Sequence, residues 1–333
     1  MSGTSRSSRV TPKGPSIGIP RALSFYDYYP LYREFFRGIG ARVVVSRPTT
    51  QVTVERGVSL TVDDTCLPVK VFFGHVAELV ESGVDYLFVP RIVSVEPRTY
   101  ICPKFLGLPE MVRSSGLLRT RLLTFTVNMN RGWRGLWQAL QSAARPWGAP
   151  GWRVARAFGR ALKAQREHRD ACEGGEWPGC AMGCSVPPRR QTSSLRVAVL
   201  GHPYIVYDRG LNLGLVDFLL QQGVDVVTPE RLEESVLDAA VADLPKRLFW
   251  SPAKKVMGAF RHLLAAGGVD GVVHLVAFGC GSDALIGELV EREARRLNSM
   301  PHMMLTLDEH AAQAGVITRI EAFLDMIERR RRL

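Results

Sequence analysis

The chain has 333 residues, a formal charge of +11 and 46% hydrophobic residues, enough for two core-bearing α/β units. Charged residues are 23%, near the globular average, which argues against a largely disordered chain. No apolar run reaches the 18 residues of a membrane helix, and the polar, basic start MSGTSRSSRVTPKGPS lacks the apolar stretch of a secretory leader. Much of the positive excess sits at the ends, in Arg6, Arg9, Lys13 and Arg329 to Arg332, so a basic nucleic-acid face on the core is not expected.

In chain order, residues 1–16 read as a disordered tail. Residues 17–129 then alternate strands and helices. Ser16–Pro20 is a short strand, Tyr29–Gly38 a helix with Pro30 in its first turn, and Arg42–Ser46 a strand. Leu67–Ser82 is a helix ended by Gly83, and Asp85–Pro90 is a buried strand closed by its proline. Pro103–Ser115 is a helix ended by Gly116, and Arg121–Thr126 is a further strand. This spacing predicts a parallel sheet covered by helices.

Residues 130–194 break that pattern. Asn130–Gln141 and Arg153–Arg169 read as helices, followed by a Gly/Pro/Ser-rich stretch taken as an exposed loop. Residues 195–333 return to α/β alternation. Strands are expected at Arg196–Leu200, Val224–Thr228, Gly271–Phe278 and Met303–Thr306. The helices between and after them are Gly210–Gln222, Lys254–Ala266, Asp283–Asn298 and Gly315–Arg329.

Six cysteines without an export signal suggest thiols or metal ligands rather than a disulfide framework. Cys66, Cys102 and Cys280 each stand just before a predicted helix. There the unpaired N–H groups and the positive end of the helix dipole favour the thiolate, the metal-binding form. Gly279 and Gly281 flank Cys280 and let the backbone approach a bulky group. A lone cysteine is otherwise core, and zinc competes with iron–sulfur as an occupant, although zinc usually comes with paired Cys-x-x-Cys spacing. Cys172, Cys180 and Cys184 read either as a second metal site or as three exposed thiols in a variable loop.

Two polar concentrations follow strands of the second half. His202, Tyr204, Asp208 and Asn212 form the first, in and just after GHPYIVYD; Asp308, Glu309 and His310 form the second, in LDEH. Either group suits the ligand-binding edge of a parallel sheet or a buried salt-bridge network. GxGxxG, P-loop and GxSxG motifs are absent, so nucleotide-dependent dehydrogenase and serine hydrolase readings lack their residues.

GIPRAL, YYPLYREFF, DDTCLPVKVFFGHV, FVPRIVSVE, CPKFLGLPE, GHPYIVYD, AFGCGSDAL and DEHAAQAGVITRIEAF occur in that order. Together they resemble the acyl-CoA dehydratase activase-related family, related to the 2-hydroxyglutaryl-CoA dehydratase subunits. The resemblance covers about residues 16–130 and 195–330. It implies two Rossmann-like α/β domains with a helical and loop insert, and a [4Fe-4S] cluster in the cleft, held by Cys66, Cys102 and Cys280. It implies low-potential electrons from a separate ATP-hydrolysing activator, passed to a 2-hydroxyacyl-CoA or another small molecule. A second dehydratase-like subunit is a further expected partner, and the setting is cytoplasmic, without nucleic acid or membrane. A non-catalytic carrier, scaffold or cluster-delivery protein is the alternative. His202, Asp308, Glu309 and His310 would line or brace the cleft. Asp63-Asp64-Thr65 stands before Cys66 where the family often has Ser-Glu, and the insert with Cys172, Cys180 and Cys184 matches none of its motifs.

Overall fold

A computed structural model describes residues 14–178, 195–297 and 300–332, and these form an α/β protein with parallel sheets. Twelve α-helices are present among the described residues. The first four-stranded sheet holds β1 (Ser16–Ile19), β2 (Arg42–Val45), β3 (Tyr86–Phe88) and β5 (Arg121–Leu123), in the order β2-β1-β3-β5. The second holds β7 (Arg196–Leu200), β8 (Asp225–Val227), β9 (Gly271–Ala277) and β10 (His302–Leu307), in the order β10-β9-β7-β8. Both sheets therefore place their first and third strands side by side, with the second strand outside the first. All seven residues of β9 are buried, as expected for an inner strand covered on both faces.

The first sheet continues past a break. Pro90 does not close the strand: the chain stays extended through β4 (Arg91–Ser94), which pairs with β6 (Thr126–Asn128). The Val89 and Arg91 N–H groups donate to Leu123 and Phe125, so the pairing bridges the gap. Proline removes one donor from the ladder without ending the extended backbone.

The helices of the first half are α1 (Phe25–Ile39), α2 (Gln51–Ser59), α3 (Leu67–Glu81) and α4 (Pro103–Ser114). α1 begins a turn earlier than expected, so Pro30 lies inside it rather than in its first turn. Ser16, placed at the end of the expected tail, belongs to β1, and its N–H and hydroxyl both donate to Asp85 Oδ2, at 2.7 and 2.6 Å. Residues 1–13 lie outside the described residues.

The insert holds α5 (Gly132–Ala144) and α6 (Gly151–Glu173), and α6 is integral to the core. Gly38 of α1 faces Ala157 of α6 so closely that a Cβ on Gly38 would stand 2.5 Å from the alanine Cβ. The second half adds α7 (Pro203–Val206), α8 (Leu215–Gln221), α9 (Glu234–Ala239), α10 (Ser251–Ala266), α11 (Gly281–Leu297) and α12 (Gln313–Arg332). α8 starts five residues later than expected, because Leu213 and Gly214 take left-handed backbone angles of +54° and +75°. Among the described residues one apolar cluster joins the two halves, from Ile17 and Phe88 through Ala157 to Leu275 and Phe323, and a second, around Phe260 and Ile286, lies under α10 and α11. Among the described residues no helix is long and apolar enough to cross a membrane.

Candidate metal centre

Three helices begin at three cysteines. Cys66 is the N-cap of α3 and Cys102 that of α4, each with proline in the first two helical positions. The Cys280 carbonyl accepts from Ala284 N–H at 3.0 Å, which gives it the same place before α11. Proline at the start of a helix fixes φ where the missing N–H costs nothing, so these corners are locally encoded. At Gly279 the left-handed φ of +75° admits glycine readily, and its missing side chain faces the Cys66 backbone, with a Cβ there 3.5 Å from the Cys66 Cα. Residues far apart in sequence thus meet at one place. Cys66 and Cys280 are buried and Cys102 half-buried, and none of the three is in a disulfide.

The expected lowering of the thiol pKa by helix ends does not win. Burial pushes Cys66 up to about 12, and the charge of Cys280 adds to the rise against the opposing pull of the Val69 N–H. Cys102 is also raised, by burial first, with the Lys104 N–H pulling the other way and Cys280 adding to the rise. Helix-end partial charges are about half a unit, too small to offset removal of a thiolate from water. Cys66 feels the charge of Cys280 and of Cys102, and Cys102 that of Cys280, so forming several thiolates together calls for a compensating cation. Three soft sulfur donors, linked by electrostatic reach through Cys66 and Cys102, suit an iron–sulfur group or another thiophilic metal.

His202 is where its sequence position suggested. As N-cap of α7, after β7, it lies beside Cys280 at the junction of the first and third strands of the second sheet. Ligands in parallel sheets bind at such junctions. His202 Nε2 is 2.7 Å from Asp283 Oδ1, the two side chains 3% and 1% exposed. Burial opposes charging the imidazole, but Asp283 and Cys280 outweigh it and hold His202 above its ordinary pKa. Asp283 is buried against ionisation too, yet His202 keeps it below the carboxylate range. The ring stacks on Tyr204, with centroids 4.9 Å apart.

Asp283 is a site residue that the sequence reading took only as a helix start. One atom each of His202, Cys280 and Asp283 lies within 4.8 Å of the others, a second donor set sharing the Cys280 sulfur. The segment Gly279–Ala284 also has a G-x-G-x-x-A spacing between β9 and α11. The Asp283 carboxylate inside that turn repels a phosphate, so the spacing alone does not make a nucleotide loop.

The second polar concentration lands elsewhere. Glu309 accepts from Nζ of Lys70, which is 3% exposed on α3, one turn beyond Cys66. This pair ties the end of β10 to the cysteine-bearing helix, so Glu309 braces the halves. Asp308 Oδ1 accepts from the His310 N–H at 3.0 Å, and His310 is exposed; neither meets the cysteines. Asp208 also braces: its carboxylate accepts from Thr49 at 2.5 Å, and Thr49 Oγ1 lies 3.0 Å from His75 Nε2. Because the Thr49 hydroxyl proton goes to Asp208, His75 must donate from Nε2. Asn212 donates to the Val206 carbonyl and holds its turn.

Cys172 is not an exposed loop thiol. It is buried in the last turn of α6, 3.8 Å from His168 Nδ1. Cys180 and Cys184 lie outside the described residues. Cys102, Cys172, His202 and Ser282 all line a cavity of about 620 Å³ that opens from the cysteine site toward α6.

The model of one family, described as a CoA enzyme activase uncharacterised domain, matches residues 16–232. No curated protein matches the chain.

Proposed function

The chain belongs to the CoA enzyme activase uncharacterised domain family, and from that membership we propose that it is an iron–sulfur component of a CoA-enzyme activation system. The observation that carries the reading is the convergence of three N-cap thiols, each within electrostatic reach of another. Cys66, Cys102 and Cys280 would hold a [4Fe-4S] cluster, which supplies low-potential one-electron chemistry when bound. The protein's own part is charge and exclusion of water. His202, kept cationic by Asp283, sets a positive charge beside the Cys280 sulfur. Tyr204 packs against the ring and holds it in place.

In this reading the chain is cytoplasmic and takes electrons from a separate ATP-hydrolysing activator. It passes them to a CoA thioester or another small molecule, with a second dehydratase-like subunit as partner. Residues 17–129 and 195–333 act as two Rossmann-like domains joined by the insert at 130–194, with the cysteines in the cleft. A second reading follows from the word activase in the family description: the chain itself is a non-catalytic carrier on the activator side, and the dehydratase is its client.

Iron and acid-labile sulfide in anaerobically purified protein test the shared core of both readings. About four of each per chain, lost in Cys66→Ala, Cys102→Ala and Cys280→Ala, is the expected result. Zinc without sulfide, retained in Cys66→Ala but lost in His202→Ala, would overturn it in favour of the His202–Cys280–Asp283 donor set. Turnover of an acyl-CoA by the chain with a reductant alone separates the first reading from the second.

A further inference from the structure

The second sheet carries a group of donors that the cysteine centre does not use. His274 of β9 is fully buried, and both of its ring nitrogens are without a hydrogen-bond partner among the described residues. Nε2 of His302, on the neighbouring β10, is enclosed and unpartnered too. A buried imidazole ordinarily pairs at least one nitrogen, so three open nitrogens on two adjacent strands call for a common explanation.

The register of the strands sets these groups together. Met304 lies opposite His274 in the parallel pairing, and His302 opposite Val272. Side chains two apart on a strand share a face, so His302, Met304 and His274 stand on one side of the sheet. Helices α10 and α11 cover that side. Phe260 of α10 meets the His302 ring with centroids 5.9 Å apart. Gly287 of α11 has no side chain to keep the strand away: a Cβ there would stand 3.0 Å from Met304 Sδ and 3.9 Å from His274 Cε1. Cε1 is the ring atom between the two nitrogens, so the nitrogen-bearing end of His274 and the thioether sulfur turn toward the same residue.

Distance and charge narrow what could be held here. The His274 and His302 centroids are 6.3 Å apart, with the planes inclined at 49°. A metal ion about 2 Å from one nitrogen of each ring holds the centroids roughly 6 Å apart when the two bonds lie nearly in line, and roughly 5 Å apart at a tetrahedral angle. The in-line arrangement matches, which disfavours tetrahedral zinc. Burial keeps both rings below the ordinary histidine pKa, His274 down to about 4, so each has a lone pair to give at neutral pH. Two neutral imidazoles and a thioether bring no negative charge, so a dication would be buried uncompensated, while a soft monovalent ion suits them. The acids within reach are engaged elsewhere, Asp283 with His202 and Glu291 with Arg295. Met304 is 40% exposed, which gives an ion a route from solvent to the enclosed nitrogens.

We propose that His274, His302 and Met304 form a binding site for a soft monovalent metal ion, Cu(I), held between the two imidazole rings with the thioether as third donor. The site stands on the far strands of the second sheet and does not rest on the cysteine reading above.

The test loads the full chain, purified anaerobically, with Cu(I) as its acetonitrile complex and counts the copper that survives excess bathocuproine disulfonate. Thiols bind Cu(I) as well, so the site is read as a difference between variants. Met304→Leu and His302→Phe are each expected to retain about one copper fewer per chain than the wild type, with iron and sulfide contents unchanged. X-ray absorption at the copper edge is expected to show nitrogen neighbours in the wild type that both variants lose. Met304 is partly at the surface, so Met304→Leu, checked by circular dichroism, carries the test if His302→Phe does not fold. Wild-type copper retention in Met304→Leu, or copper lost only when Cys66, Cys102 or Cys280 is replaced, would overturn the proposal. Iron and sulfide, measured on the same samples, report on the cysteine reading separately.

Discussion

The two sheets share one strand order and differ in what they place at their working corners. The first half contributes Cys66 and Cys102, two thiols capping helices with no ionised side chain paired to them. The second half contributes Cys280 together with His202 and Asp283, a buried ion pair at the junction of β7 and β9. The same topology thus yields one half-site of soft thiols and one that adds a buried ion pair. Chain connectivity decides where such a corner stands, and the residues loaded onto it decide what it does.

The comparison breaks most sharply through Asp283. Asp283→Ala leaves His202 buried without its counter-charge, and about 3 kcal/mol of stability should be lost in metal-free protein. Cys102→Ala under the same conditions should cost no more than about 1 kcal/mol. Urea unfolding of both variants measures the gap, and equal losses would mean that the two corners are alike after all.

Acid should find both halves, through two histidines. His75 on α3 is pushed by burial down to about 3, and His274 on β9 down to about 4. An unfolded histidine takes its proton near pH 6.5, well above either value. Their contribution is therefore fully present above pH 6.5 and is lost as pH falls toward 4 and then 3. At pH 5 the loss is about 2 kcal/mol for each histidine. Midpoints measured from pH 7.5 to 5 should fall less steeply in His75→Gln, and an unchanged slope would show that His75 is not buried as a neutral ring.

Glu309→Ala strips Lys70 of its partner across the halves. Because Glu309 remains partly solvent-exposed, the expected loss is about 1–2 kcal/mol, with Glu309→Gln intermediate by thermal unfolding. The smallest effect belongs to the surface of α11. Glu288→Ala removes an exposed pair with Arg292, worth about 0.3–0.5 kcal/mol, and a midpoint shift beyond about 2 °C would contradict the exposed assignment.

Much of this was legible in the sequence. Proline after Cys66 and Cys102 and glycine around Cys280 marked the three corners, because those residues act locally on the backbone. The strand alternation marked both sheets for the same reason. Asp283 was hidden, since a carboxylate in the first turn of a helix is common on surfaces and only tertiary packing buried it against His202. The cavity was hidden as well. One of its walls is α6, and an Arg- and Lys-rich helix reads as solvated until the small face of Val154, Ala157 and Ala161 is seen seated in the core. α2 went unnoticed because its capping box, Thr50 with Thr53, is built from two threonines rather than the usual Ser/Thr and Glu.

The distribution of the three thiols also sets an order of events during biosynthesis. Cys66 and Cys102 leave the ribosome on the order of ten seconds or more before Cys280. In that interval the nascent chain can display a two-thiol half-site without the histidine and carboxylate that complete it. A metal group that takes all three thiols, as proposed, would have to wait until Cys280 has also left the ribosome.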